Sequence, residues 1–153
     1  MKQADELIAA LRRRGESVCT VESLTGGLLC ALLTEVPGAS DVVRGGIVAY
    51  SMSAKRDVVG VDEQTLTTHG AVSEQVAGEL ARRARDIFGS TWAIATTGVA
   101  GPATQEGRPV GTVFVAVSGP RTAAVALSLA GDRQQIRTQT CVAGMRLLRD
   151  GME

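Results

Sequence analysis

Lysine is almost missing from this chain: of sixteen lysines and arginines, only Lys2 and Lys55 are lysine. Histidine occurs once, as His69, which excludes a metal centre built on histidines and leaves a serine–histidine pair only if His69 supplies it. The three cysteines, Cys19, Cys30 and Cys141, are odd in number, widely spaced and without a C-x-x-C pair. They read as reduced, packed thiols rather than a disulfide framework or zinc site, and point to the cytoplasm. Net charge is lacking too, sixteen basic residues against sixteen acidic ones. That removes the electrostatic footprint of a protein that grips nucleic acid or anionic lipid. The longest apolar run, Gly26 to Leu33, is too short to span a bilayer. The opening Met1-Lys2-Gln3-Ala4-Asp5-Glu6 has none of the apolar core of a secretory signal. At 153 residues the chain is expected to form one domain, 1–153, large enough to bury roughly two-thirds of its unfolded surface.

Strand and helix patterns alternate along the chain. Residues 5–14 read as a helix, 17–21 as a strand and 25–34 as a helix ended by Pro37-Gly38. Residues 42–50 are β-branched and aromatic, hence a strand, and 53–59 a short helix stopped by Gly60. Ser73 and Glu74 start a stronger helix with Val76, Leu80, Ala84, Ile87 and Phe88 on one face. Residues 92–97 form a buried-type strand. Residues 111–117 and 122–129 form two more, and their short link, Ser118-Gly119-Pro120-Arg121, makes them an antiparallel hairpin. Asp132 caps a last helix to about Arg149, with Ile136, Thr140, Ala143 and Leu147 on one side. The predicted fold is a single three-layer α/β/α domain with a mixed sheet of about five strands.

An arginine-rich chain that keeps a lysine invites a chemical reading of it, because a desolvated lysine can give up its proton and arginine cannot. The competing reading makes Lys55 a solvated helix residue. Three segments fall at strand ends, where open α/β sheets bind ligands: Glu22 to Gly27, Tyr50 to Lys55, and Thr97 to Pro102. In the first, Ser23 leaves a strand and the following residues offer backbone N–H groups at a helix start, suited to an oxyanion or a phosphate; alternatively Ser23 or Thr25 is an N-cap. In the second, a strand-to-helix junction lets Tyr50 and Lys55 share a face. In the third, Gly98 and Gly101 allow close backbone approach and Thr97 offers a hydroxyl.

Six ordered blocks run through nearly the whole chain: Glu22-Ser23-Leu24-Thr25-Gly26-Gly27; Arg44-Gly45 through Tyr50-Ser51-Met52-Ser53-Ala54-Lys55; His69-Gly70-Ala71-Val72-Ser73-Glu74; Thr97-Gly98-Val99-Ala100-Gly101-Pro102; Pro109-Val110-Gly111-Thr112-Val113; and Gly131-Asp132-Arg133-Gln134-Gln135-Ile136-Arg137. In these blocks the chain resembles the C-terminal domain of competence/damage-inducible protein A, a domain that also occurs alone as a nicotinamide mononucleotide (NMN) deamidase. The resemblance implies metal-independent, cofactor-free hydrolysis of the NMN carboxamide to nicotinic acid mononucleotide and ammonia. It also implies that Ser23, Tyr50 and Lys55 occupy catalytic positions. A small mononucleotide is then the expected partner, with no nucleic acid or membrane, and a homo-oligomer, a dimer first, is the expected assembly.

The chemistry is consistent with that implication. An amide is a poor electrophile, so a serine nucleophile needs a base and donors for the tetrahedral oxyanion. Lys55 fits as base if burial, or a cation such as Arg44 or Arg56, lowers its pKa from about 10.4. Tyr50 would relay the proton or orient the lysine. For the 5′-phosphate the candidates are Thr25, Gly26 and Gly27, the run Gly98 to Gly101 with Ala100, and the arginines Arg133 and Arg137. The chain departs from the family pattern at Leu24, where cysteine is usual, and at Met52, where asparagine is usual. It also departs in the loop Ala103-Thr104-Gln105-Glu106-Gly107-Arg108, which lacks the usual aspartate-glycine start. Leu24 is expected to point into the core and the loop to close over ribose or base. The alternative reading is a nucleotide-binding module of the same fold, non-catalytic or of altered specificity.

Overall fold

Two strands without a solvent face set the architecture. The computed structural model describes residues 1–153, and in it β1 (Val18–Glu22) and β3 (Trp92–Gly98) are buried along their whole length. A strand buried on both sides needs helices on both faces of the sheet. The sheet has five strands in the order β2-β1-β3-β4-β5, with β2 (Val43–Val48), β4 (Thr112–Ser118) and β5 (Ala123–Ser128) completing it. The first three are parallel. β4 and β5 run antiparallel, making the predicted mixed sheet and hairpin. The edge strands β2 and β5 alternate between half-buried and exposed residues, as strands with one neighbour do.

On one face lie α1 (Lys2–Arg14), α2 (Leu28–Thr34) and the long α6 (Arg133–Met152). Leu7, Leu11, Leu29, Leu33, Ile136 and Leu148 meet there beneath Trp92 and Ile94. On the other face α5 (Glu74–Phe88) packs Val76, Ala77, Leu80, Ala81 and Ala84 onto the alternate residues of the same strands, among them Cys19, Val21, Ala93 and Ala95. The chain passes from β1 through α2 to β2 on one side, then through α5 to β3 on the other side of β1. Two right-handed crossovers in opposite directions put their helices on opposite faces. They also leave a crevice outside the carboxyl ends of β1 and β3, the topological switch point of the sheet.

Several boundaries differ from expectation for physical reasons. The helix expected from residue 25 begins at Leu28, because Gly26 and Gly27 both take positive φ (58° and 97°) in the turn before it. Residues 53–59 are not one plain helix: a single turn, α3 (Met52–Ala54), widens into a π-helical stretch over Lys55–Val59. A helix that periodicity missed, α4 (Glu63–His69), is capped by Asp62 accepting the Gln64 N–H; it buries only Leu66 and so carries no apolar stripe. In α5, Ile87 is exposed rather than on the core face, whereas Phe88 packs against that core as expected and also covers Gly45, where a Cβ would lie 2.5 Å from its ring. In α6 the buried line runs through Ile136, Thr140, Cys141, Gly144, Met145 and Leu148, with Ala143 and Leu147 at its margin.

Candidate active site

The turn after β1 is built around a buried carboxylate. Glu22 is 1 % exposed and has no cationic partner. Its two oxygens accept the N–H groups of Gly27, Leu29 and Cys30 at 2.8–3.0 Å and the Thr20 hydroxyl at 3.1 Å. A carboxylate survives in a core only when its lone pairs are filled this way. The consequence for the expected oxyanion site is direct. The amides at the start of α2 are already spent on Glu22, and the Gly26 N–H is spent on the Ser23 carbonyl. Arg137 fastens the same turn from α6, donating to the Leu24 carbonyl at 3.0 Å and the Thr25 carbonyl at 2.8 Å. The Thr25 hydroxyl shares a 2.8 Å hydrogen bond with Thr96. Leu24 points into the core, as expected.

This scaffold holds Ser23, itself buried, at the mouth of the crevice. Lys55 reaches it from the other side of β1. After β2, Ala49 pairs its N–H with the Glu22 carbonyl, and Ser51 caps α3. The π-helical widening that begins at Lys55 lets its side chain turn inward, a use to which such bulges are often put. Lys55 is 2 % exposed, and its Nζ lies 3.1 Å from Ser23 Oγ and 2.9 Å from the Ala49 carbonyl. Burial lowers its pKa to about 8, against a smaller opposing pull from the Glu106 carboxylate. The expected neighbouring cations play no part. Arg56 is paired with Asp57 and Glu63 at the surface, and Arg44 lines a separate cavity with Arg12 and Arg13.

Ser23 and Lys55 open onto a cavity of about 320 Å³ between the ends of β1 and β3. Of the residues singled out in the sequence, Tyr50, Thr97, Gly98, Ala100, Gly101 and Arg133 line it as well. Tyr50, 59 % exposed, stands at the rim and accepts a 2.8 Å hydrogen bond from Arg133, whose other terminal nitrogen donates to the Gly101 carbonyl. The N–H groups of Ala100 and Gly101 have no acceptor within the protein, nor do those of Leu24 and Thr25 beside the serine. Buried amides without partners are rare and suit an incoming anion. Thr97 spends its hydroxyl on the Ala71 carbonyl at 2.7 Å and so braces the wall. Thr25, Gly26, Gly27 and Arg137 lie outside the lining and build the turn instead. His69 is exposed at the end of α4, away from the cavity. Pro102 to Gln105, from the segment and loop expected at the site, line the cavity, and Ala71 and Val72 line it without having been singled out as contacts. A solitary acid at the end of an apolar strand was the available signal for Glu22. Ala71 and Val72 fall within the block His69 to Glu74, but their apolar side chains carried no chemical signal of contact.

The chain matches the family model described as the CinA C-terminal domain over residues 1–152. It belongs to the CinA C-terminal domain family. A CinA-like protein of Anaeromyxobacter sp. (strain K) is 49% identical over 146 residues, covering 94% of this chain and 36% of the relative. The chain thus spans about a third of the length of the curated relatives it matches. Among solved structures, the competence/damage inducible protein CihA from Agrobacterium tumefaciens superposes with a TM-score of 0.96 at 36% identity, over 99% of this chain and 94% of that one. The CinA superfamily protein KP700603 from Klebsiella pneumoniae gives 0.94 at 32%, over 97% and 94%. In this CinA domain no helix is long and apolar enough to cross a membrane. No group of three or more His, Cys, Asp or Glu side chains stands together in a way that would hold a metal ion.

Proposed function

We propose that this CinA domain is an amidohydrolase that converts NMN to nicotinic acid mononucleotide and ammonia. Ser23 acts as nucleophile and Lys55 as its base. The observation that carries the reading is a buried lysine with a lowered pKa, 3.1 Å from a serine hydroxyl at the sheet's switch point. As neutral amine, Lys55 takes the Ser23 proton while Oγ adds to the carboxamide carbon. The unpartnered N–H groups of Ala100 and Gly101, which line the cavity, are the available donors to an anionic group of the substrate. The C–N bond then breaks as the Lys55 ammonium returns its proton to the leaving nitrogen, so that ammonia departs and an acyl-serine remains. Water, deprotonated by the same lysine, hydrolyses that ester and frees Ser23. Arg133, which has one arm on Tyr50 and the other on Gly101, sits where it can take an anionic group of the substrate without leaving the wall.

Ammonia release from NMN by the purified protein tests the reading. Turnover should persist in the presence of chelator, since no cluster of ligands is available to a catalytic ion. NMN binding in a calorimeter without any ammonia release would overturn the enzyme reading in favour of a nucleotide-binding module. The rim loop that departs from the family pattern is the feature that favours that second reading.

A further inference from the structure

We propose that Glu106 is a positioning residue that latches the rim loop 103–108 shut over the cavity. This rests on the amidohydrolase reading for its kinetic consequence but not for its structural one.

The loop is a tight hairpin. Gln105 and Arg108 exchange both backbone hydrogen bonds, at 3.3 and 2.8 Å, around Glu106 and Gly107. Both central residues have positive φ, 52° and 70°, the geometry of a two-residue turn that asparagine or glycine enters without strain. Glu106 is the one non-glycine residue of the chain in that region. A long acidic side chain is a poor choice for the turn itself. Its use lies across the gap. The two carboxylate oxygens accept the N–H groups of Ala71 and Val72, one each at 3.0 Å. Ala71 and Val72 line the cavity, as do Ala103, Thr104 and Gln105, just before Glu106. The carboxylate therefore ties two separate lining segments together.

The receiving wall is shaped for this contact. Gly70 has φ 77°, and a Cβ there would lie 2.7 Å from the Glu106 Oε2 atom. The carbonyls of Gly70 and Ala71 are held in turn by the hydroxyls of Ser73 and Thr97, at 2.8 and 2.7 Å. On the loop's far side Arg108 stacks on Phe114, 5.5 Å from the ring centroid. Glu106 is also the one charged group besides desolvation that acts on the Lys55 equilibrium, favouring its ammonium form. The other ionisable groups at the cavity, Tyr50 and Arg133, are bonded to each other. A loop that opens to admit a mononucleotide thus also withdraws the carboxylate that holds the proton on Lys55. Closing restores the rim contacts to substrate.

Two variants separate this role from simple turn formation. Glu106→Gln keeps the length but loses the charge and one acceptor. Glu106→Asn is the better turn former but cannot reach Ala71 and Val72. Because Lys2 and Lys55 are the only lysines, lysine-labelled protein gives two ¹³Cε signals, and Lys55→Arg identifies which is which. Without any substrate, both variants should move the Lys55 midpoint below its value near pH 8. The Ala71 and Val72 amides should exchange faster in Glu106→Asn, with the melting temperature unchanged. With NMN, KM should rise about tenfold while plateau kcat changes little, the signature of a less populated closed state. An unmoved Lys55 midpoint, or amides as protected in Glu106→Asn as in the parent, would overturn the latch. These readings decide it even if NMN is not a substrate, so the two proposals fail separately.

Discussion

Lys55 Nζ meets Ser23 Oγ at 3.1 Å across 32 residues of chain, and its second acceptor is the Ala49 carbonyl just after β2. That carbonyl fixes where the amine sits. Lys55→Arg should therefore abolish turnover while leaving the fold intact, because a guanidinium keeps the charge but accepts no proton at a workable pH. The loss should appear in kcat by at least about a thousandfold, with KM for NMN nearly unchanged. A variant that retains turnover would remove Lys55 as base and leave Tyr50 as the titratable hydroxyl in the cavity.

Ser51 and Ser53 are the rival nucleophiles by proximity in sequence. Both are exposed, share a 3.0 Å hydrogen bond with each other, and are absent from the cavity wall. Ser23→Ala is expected to lower kcat by at least about a thousandfold. Ser53→Ala should stay within a factor of about two of the parent, and trapping of an acyl-enzyme by mass spectrometry should mark Ser23 alone.

Burial of Lys55 links activity and stability to pH. The kcat/KM profile should rise through a limb near pH 8 as the free enzyme's lysine loses its proton. For stability, the folded pKa lies below the unfolded one, so between about pH 8 and the ordinary lysine range the unfolded chain binds more protons. This term therefore adds stability as pH rises through that window. Cys19 and Cys141 oppose it from about pH 9 upward, since burial raises their pKa values to about 11 and about 12, and the unfolded thiols ionise first. The difference in melting temperature between the parent and Lys55→Met isolates the lysine. That difference should shift in favour of the parent on going from pH 8 to 10, and a constant difference would contradict the linkage.

Glu22→Gln replaces an acceptor with a donor where four donors already converge. One amide group must then face two N–H or O–H groups in the core. The expected cost is about 3 kcal/mol of stability, read by chemical denaturation, together with loss of turnover because the Ser23 turn loses its anchor. A variant as stable as the parent would mean that the four converging donors do not need Glu22 as their acceptor.

Arg133 and Arg137 lie one helical turn apart on α6 yet should fail differently. Arg133 faces the cavity, so Arg133→Ala should raise KM for NMN about tenfold or more, in line with one lost charge-assisted contact. Arg137 is spent on the Leu24 and Thr25 carbonyls, so Arg137→Ala should lower the melting temperature and kcat together. Equal effects on KM from both would contradict the division.

The sequence alone determined the alternation of strand and helix, the mixed sheet with its terminal hairpin, and the three strand-end segments that carry the site. Each is written locally: in apolar period, in the Pro and Gly stops, and in the short link from Ser118 to Arg121. A solitary internal lysine and a serine before Gly-Gly were equally legible, because chemistry restricts which residue types serve. What only the tertiary structure decided are the relations between segments. Glu22 takes the amides that a local pattern assigns to a ligand, and Arg137 serves the turn while Arg133 faces the cavity. Desolvation, not Arg44 or Arg56, lowers the Lys55 pKa. Glu106 meets Ala71 and Val72 from 35 and 34 residues away. Such choices depend on which donors and acceptors the packed chain leaves unpaired, a property of the whole fold that no local pattern records.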